Sequence, residues 1–246
     1  MSNKSTAAKT VLITGATSGI GETLFEGYVQ QGDNVIACGR NTQHLKTLED
    51  KAFQTFAFDI TKQAEINAIS NDVPPLDILI LNAGNCRYID NAKQFDGALF
   101  TDVITTNLLS LGWLLQALLT KVKAGGQIVF VSSSATIVPF PRSEAYGASK
   151  AGMDYLANSL RLDLVKENIG VTLVHPGFIK TPLTDKNDFS MPFLLTSEEA
   201  AKRIIAGVNS KTKYLHFPKR LTLLLKLLSF LPSSLWQSLI LRNQNL

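Results

Sequence analysis

The apolar run Thr10-Val11-Leu12-Ile13 passes without a break into Thr14-Gly15-Ala16-Thr17-Ser18-Gly19-Ile20-Gly21. The run reads as a buried strand, residues 22–31 as a helix closed by Gly32, and Asn34-Val35-Ile36-Ala37-Cys38 as a second strand. Glycines at a strand-to-helix turn let backbone come close to a bound group. The helix start offers unpaired N–H groups and the positive end of its dipole. A strand, glycine turn, helix and strand in about 30 residues is the size of a dinucleotide-binding unit. The glycine spacing is GxxxGxG, not the more widespread GxGxxG.

The alternation continues along the chain. Residues 54–58 read as a strand ending at Asp59, 61–70 as a helix, and Leu76-Asp77-Ile78-Leu79-Ile80-Leu81 as a strand ending at Asn82-Ala83-Gly84. A long helical region over 98–123 is broken by Gly125-Gly126, and 127–131 is the next strand. Residues 144–167 form a helical pattern, and 171–175 a strand stopped by Pro176-Gly177. Residues 197–208 form a helix, with Thr196 or Ser197 as its N-cap and two glutamates in its first turn; 213–217 is a last short strand. Near-continuous apolar strands alternating with helices predict an α/β fold, a doubly wound parallel sheet covered on both faces, with a helical tail.

The chain has 246 residues, 45% of them hydrophobic, which suits one domain, with 1–8 as a polar lead-in and 218–246 as an extension. The first residues lack the apolar stretch of a secretory signal, and no uninterrupted apolar run is long enough to span a bilayer. Cys38 and Cys86 form no CxxC, and His44, His175 and His216 show no ligand spacing, so reduced thiols and no metal are expected. The net charge of +4 equals the four basic residues of 219–246, where no acid occurs, leaving 20 basic and 20 acidic residues elsewhere. That is not the broad basic face of a nucleic-acid binder.

Tyr146 and Lys150 lie four positions apart in the 144–167 helix, one turn apart on one face. An ammonium group favours the phenolate and lowers a tyrosine that alone titrates near 10. Ser133, just past the 127–131 strand, can hydrogen-bond an oxygen that gains or loses a proton.

In order, Thr14-Gly15-x-x-x-Gly19-Ile20-Gly21, Asp59, Asn82-Ala83-Gly84, Asn107, Ser133, Tyr146-x-x-x-Lys150 and Pro176-Gly177 resemble the short-chain dehydrogenase/reductase family across nearly the whole chain. The thirteen-residue interval to Tyr146 selects Ser133 over Ser132 and Ser134. The resemblance implies an open Rossmann sheet of about seven strands and hydride transfer between a nicotinamide and a carbonyl or hydroxyl carbon. Tyr146 is implied as general acid or base, Lys150 as the group that lowers its pKa and holds the nicotinamide ribose, and Ser133 as the residue that orients the substrate oxygen. Asn107 is implied to hold a water behind Lys150. The implied cofactor set is Gly15, Thr17, Ser18, Gly19, Ile20 and Gly21 at the turn, Asp59 and Ile60 at the adenine, and Asn82, Ala83 and Gly84 along the ribose. Pro176, Gly177, Ile179 and Thr181 then lie at the nicotinamide amide.

The second strand ends in Cys38-Gly39-Arg40-Asn41, with an arginine able to pair with a 2′-phosphate and no acid to repel one. NADP is therefore expected, with NAD as the alternative. The pocket walls expected are 86–89, 135–140 and the apolar second half of 183–195, which favours a small hydrophobic carbonyl or alcohol; core filling is the competing reading of those side chains. In 221–233 the polar residues Thr222, Lys226, Ser229 and Ser233 form one narrow stripe on an apolar helix, and a second amphipathic piece follows Pro232. Protein packing or a membrane interface would each use such a tail. A homodimer or homotetramer through 98–123 and 144–167, and a cytoplasmic or membrane-peripheral location, complete the expectation. The competing functions are a membrane-peripheral dehydrogenase acting on a lipid-like alcohol and a catalytically silent nucleotide-binding regulator.

Overall fold

A computed structural model describes residues 7–244, so most of the expected lead-in, 1–6, lies outside the described residues. Seven parallel strands form one sheet: β1 (Thr10–Thr14), β2 (Asn34–Gly39), β3 (Gln54–Ala57), β4 (Leu76–Leu81), β5 (Val122–Val131), β6 (Gly170–Pro176) and β7 (Tyr214–Phe217). Their order is β3-β2-β1-β4-β5-β6-β7. Val11 pairs with Val35 of β2 on one side and Ile78 of β4 on the other. Strand order therefore reverses beside β1, and a crevice opens beyond the carboxyl ends of β1 and β4.

Successive side chains of β1 enter different cores, as a strand buried on both faces requires. Leu12 joins a core made with Ile66 of α3 (Gln63–Ser70), Leu111 and Leu114 of α5 (Ser110–Leu118) and Met153 of α6 (Glu144–Asp163). Val11 and Ile13 join the opposite core with Phe25 and Tyr28 of α1 (Gly19–Gln30), Leu45 of α2 (Thr42–Leu48) and Ile204 of α7 (Ser197–Asn209). Thr196 caps α7 in a capping box with Glu199, which decides between the two N-cap candidates.

Four boundaries differ from expectation. Helix α2 was not foreseen, although Asn41 caps it by accepting from the His44 N–H at 3.0 Å. The 98–123 helix is divided into α4 (Gly97–Ile104), a π turn at Thr105–Leu109, and α5, and it ends at Lys121. Strand β5 starts at Val122 instead of Gln127, because Val122 pairs with Leu76 before the register shifts at the glycine pair. Helix α6 stops at Asp163, four residues short of the predicted end.

The tail forms α8 (Lys219–Leu228) and α9 (Ser233–Gln244). Only the first half of its polar stripe faces inward: Thr222 is fully buried and bonds His216 Nδ1 at 2.7 Å, and Lys226 Nζ sits 4.3 Å from the centre of the Tyr214 ring, whereas Ser229 and Ser233 are exposed. Leu221 and Leu225 are also buried, against Val138, while Trp236 of α9 packs edge-on to Phe140 and donates to Pro139 O at 2.8 Å. Leu223, Leu224, Leu227 and Phe230 face outward.

Candidate active site

A cleft of about 540 Å³ occupies the crevice beyond β1 and β4. Gly15 and Gly19 turn the chain there with φ of +68° and +55°, in the left-handed region that glycine enters without strain. A Cβ on Gly21 would stand 2.0 Å from Gly15 O, so only glycine fits the first turn of α1 against the strand end. Gly21 is buried below the turn and does not line the cleft; Gly15, Thr17, Ser18, Gly19 and Ile20 do. Ser18 makes no side-chain cap to α1, leaving the early amides of that helix facing the cleft. Thr14 Oγ1 accepts from the N–H groups of Asn82 and Ala83 at 3.0 and 3.1 Å, and Asn82 Nδ2 donates to Thr14 O at 3.0 Å. These bonds tie the end of β1 to Asn82-Ala83-Gly84.

At one end of the cleft stand Arg40, Asp59 and Ile60. Arg40 is 71% exposed at its side chain and lies 3.6 Å from Asp59. Burial pushes the Asp59 carboxyl up, but the Thr61 N–H and hydroxyl and the Arg40 charge together hold it below the usual range. Arg40 is thus weakly tethered by a solvated pair and free to meet a second anion.

The cleft is also lined by Ser133, Tyr146 and Lys150 and by Pro176, Gly177, Ile179 and Thr181, with Thr181 against Gly19 of the glycine turn. Lys150 is buried and donates to Val131 O at 2.9 Å; Nζ lies 5.9 Å from the centre of the Tyr146 ring. Burial pulls the Lys150 ammonium down to about 8. Burial also raises the Tyr146 phenol, the nearby Cys86 thiol adds to that, and the hydrogen bond with Ser133 opposes it. This departs from a phenol made acidic by Lys150. Burial is the largest cause of that rise, and the Lys150 ammonium, 5.9 Å from the ring centre, does not reverse it. The raised phenol keeps its proton at neutral pH.

Asn107 does not line the cleft. It sits fully buried in the π turn, where Oδ1 accepts from Asn85 N at 2.8 Å and Nδ2 donates to Asn85 O and Ser149 Oγ at 2.9 and 3.0 Å. A π turn swings one side chain out of α-helical register, and such turns recur at functional positions. A Cβ on Gly84 would stand 3.0 Å from Asn107 Oδ1 and 3.6 Å from Lys150 Nζ, so Gly84 keeps the space between them.

The expected pocket walls divide. Phe189 meets Tyr88 and Phe178 edge-on at 5.6 and 6.1 Å, beside the catalytic end. Leu195 instead pairs with Ile179 and fills the core, while Phe193 and Leu194 lie on a separate groove. Ile137, Val138 and Phe140 pack against the tail.

The whole arrangement has known counterparts. The family description "short chain dehydrogenase" matches residues 9–191. The chain belongs to the short-chain dehydrogenase family. It is 31% identical over 242 residues to an uncharacterized oxidoreductase of Myxococcus xanthus, covering 94% of this chain and 95% of that protein. It is 32% identical over 211 residues to serine 3-dehydrogenase of Agrobacterium fabrum, covering 82% of each. The solved closed form of serine dehydrogenase complexed with NADP+ matches with a TM-score of 0.74 and 26% identity, over 85% of this chain and 94% of that one.

This dehydrogenase also holds a polar array that sequence reasoning missed. Ser132 Oγ donates to Asp154, whose other oxygen lies 2.8 Å from His175 Nε2; His175 Nδ1 is 3.0 Å from the Tyr214 hydroxyl. Tyr214 stacks on His216, and His216 Nε2 accepts from Lys219 Nζ at 3.0 Å. Burial and the neighbouring Lys219 and Lys226 push His216 down to about 4. The array runs from the residue before Ser133 to the tail. Only the i, i+4 spacing of Lys150 and Asp154 on one helix face could have hinted at it.

Proposed function

We propose that this protein is an NADP(H)-dependent oxidoreductase that transfers a hydride between nicotinamide and a carbonyl or hydroxyl carbon of a hydrophobic substrate. The observation that carries the reading is one cleft lined by Tyr146, Ser133 and Lys150 and by a glycine turn plus Arg40. A bound nicotinamide supplies the hydride. The exposed amides of α1 and the glycine turn take the pyrophosphate, Arg40 the 2′-phosphate, and Asp59 and Ile60 the adenine. Asn82, Ala83, Gly84 and Lys150 hold the ribose on the catalytic side, and Pro176, Gly177, Ile179 and Thr181 the carboxamide. Lack of an acid at the end of β2 supports NADP over NAD.

In the reducing direction Ser133 orients the carbonyl oxygen and Tyr146 delivers its proton to it. Lys150 stabilises the phenolate left behind, and Asn107, bonded around Asn85 and Ser149, holds the helix faces that carry the pair. Tyr88, Phe178 and Phe189 support an apolar substrate, whereas the serine named for two of the similar proteins is small and polar. An oligomer is part of the reading: Tyr155 and Leu162 of α6 are 81% and 77% exposed.

Turnover of NADPH and NADH with hydrophobic ketones and aldehydes, serine and 3-hydroxy acids tests the proposal. Tyr146→Phe is expected to lower kcat by about 10²–10⁴-fold. A rate unchanged in that variant sinks the mechanism, whereas a wild type that binds NADPH and turns over none of these substrates favours the silent nucleotide-binding regulator. A preference for serine sinks the hydrophobic substrate class alone.

A further inference from the structure

The tail presents its apolar side to the outside. Within α8, Leu223, Leu224 and Leu227 share one outward face, and Phe230, just beyond the helix, is 86% exposed. Arg220 precedes Leu224 by one turn, on that same face, whereas the Lys219 ammonium turns inward to His216 Nε2 at 3.0 Å. Lys219 and Arg220 also border a groove with Arg203, and the exposed Phe193 and Leu194 line it.

Charge is segregated in the same way. Residues 200–246 contain eight basic residues (Lys202, Arg203, Lys211, Lys213, Lys219, Arg220, Lys226 and Arg242) and no acidic one. Of the 24 basic residues in the chain, 16 remain for the rest, which holds all 20 acids: that part is −4 and the end +8. The inward residues Thr222 and Lys226 are already met by His216 and Tyr214, so burying the leucines leaves those contacts in place.

We propose that the outward face of α8, with Phe230 and the cation-bordered groove, docks on an anionic phospholipid surface. The leucines and Phe230 enter the headgroup boundary, and Arg220 and Arg203 meet lipid phosphates. The charge pattern favours this occupant over a second copy of the chain. A two-fold contact sets a patch against itself, and an acid-free cationic patch would then face its own charge.

Flotation of the full chain with vesicles of phosphatidylcholine alone, and of phosphatidylcholine with phosphatidylglycerol, tests this. Binding is expected to the anionic vesicles only and to weaken in high salt. The exposed-site variants Leu227→Ser with Phe230→Ser, and separately Arg220→Glu, are expected to lower that binding about tenfold while leaving turnover of a soluble carbonyl unchanged. No difference between the two vesicle types overturns the proposal. So does a wild-type dimer that fails to bind either vesicle and becomes monomeric in the leucine–phenylalanine variant. Vesicle binding is read without turnover, so its failure is separable from failure of the proposed catalysis.

Discussion

Two side chains in the cleft carry opposite kinds of cost. Arg40 is largely solvated and its ion pair with Asp59 contributes little to stability, so Arg40→Asp is expected to leave the melting curve in place. Steady-state kinetics should instead show KM for NADPH rising about 10–10²-fold, the worth of a charge-assisted bond, while NADH is affected much less. Lys150 is the reverse case. Unfolded, a lysine titrates near 10.4; folded, this one titrates at about 8. Between those values the unfolded chain binds more protons, so stability rises with pH through that window, and below it the buried charge exacts its full penalty. At pH 7 that penalty is about 3 kcal/mol, against roughly 1 kcal/mol recovered from the bond to Val131 O. Lys150→Met should therefore raise the urea midpoint at pH 7, flatten the rise in stability between pH 8 and 10, and abolish turnover. A lower midpoint would show that Lys150 is held for folding as well as for chemistry.

At the scale of elements, the tail acts as a brace for the substrate side. Trp236 donates to Pro139 O and packs on Phe140, and Leu221 lies so close to Gly177 that a Cβ there would stand 2.7 Å from it. Trp236→Ala removes one hydrogen bond and a half-buried ring, a loss of about 1–2 kcal/mol. KM for substrate should rise with KM for NADPH unchanged, since the loosened segment at 137–140 packs on the tail and does not line the cleft proposed for the cofactor; the two constants moving together would argue against a brace. Elements this local were legible where short-range chemistry fixes them, as in the glycine turn after β1 and the capping box of α7. Helix α2 was missed because seven residues give the periodicity of Leu45 and Leu48 too little length to stand out. The π turn was missed because nothing in Thr105-Thr106-Asn107 differs from helix until Asn107 finds Asn85, 22 residues away. The face of α8 was hidden for a similar reason: Thr222 and Lys226 point inward only because His216 and Tyr214 are there to receive them. Of the motif residues, only Gly21 and Asn107 stand behind the cleft instead of on it. Apart from the spacing of Lys150 and Asp154, the array around Asp154 and His175 carried no signal, because its members come from different elements.

At the scale of the whole molecule, two of its exposed apolar regions differ in character. The tail face is acid-free, whereas the outer surface of α6 alternates Tyr155 and Leu162 with Asp163, Lys166 and Glu167 nearby, and Val165 beyond the helix is 69% exposed. Leu109, at the end of the π turn, adds a fourth half-exposed apolar side chain on the neighbouring helix. Mixed charge around an apolar centre is self-complementary under a two-fold axis, because each basic residue can meet an acid of the other copy. The copy–copy contact is therefore expected on α5 and α6. Tyr155→Glu with Leu162→Glu places two buried, unpaired charges in that contact, each costing several kcal/mol if the assembly persisted. Light scattering on the eluting protein should show the wild type as a multiple of the 26.9 kDa chain and the double variant as a single chain. The π turn that carries Asn107 ends at Leu109, on the edge of this contact, so dissociation should also lower kcat more than it raises KM for NADPH. A double variant that stays assembled would move the contact elsewhere, and a monomeric one with full kcat would separate the assembly from the chemistry.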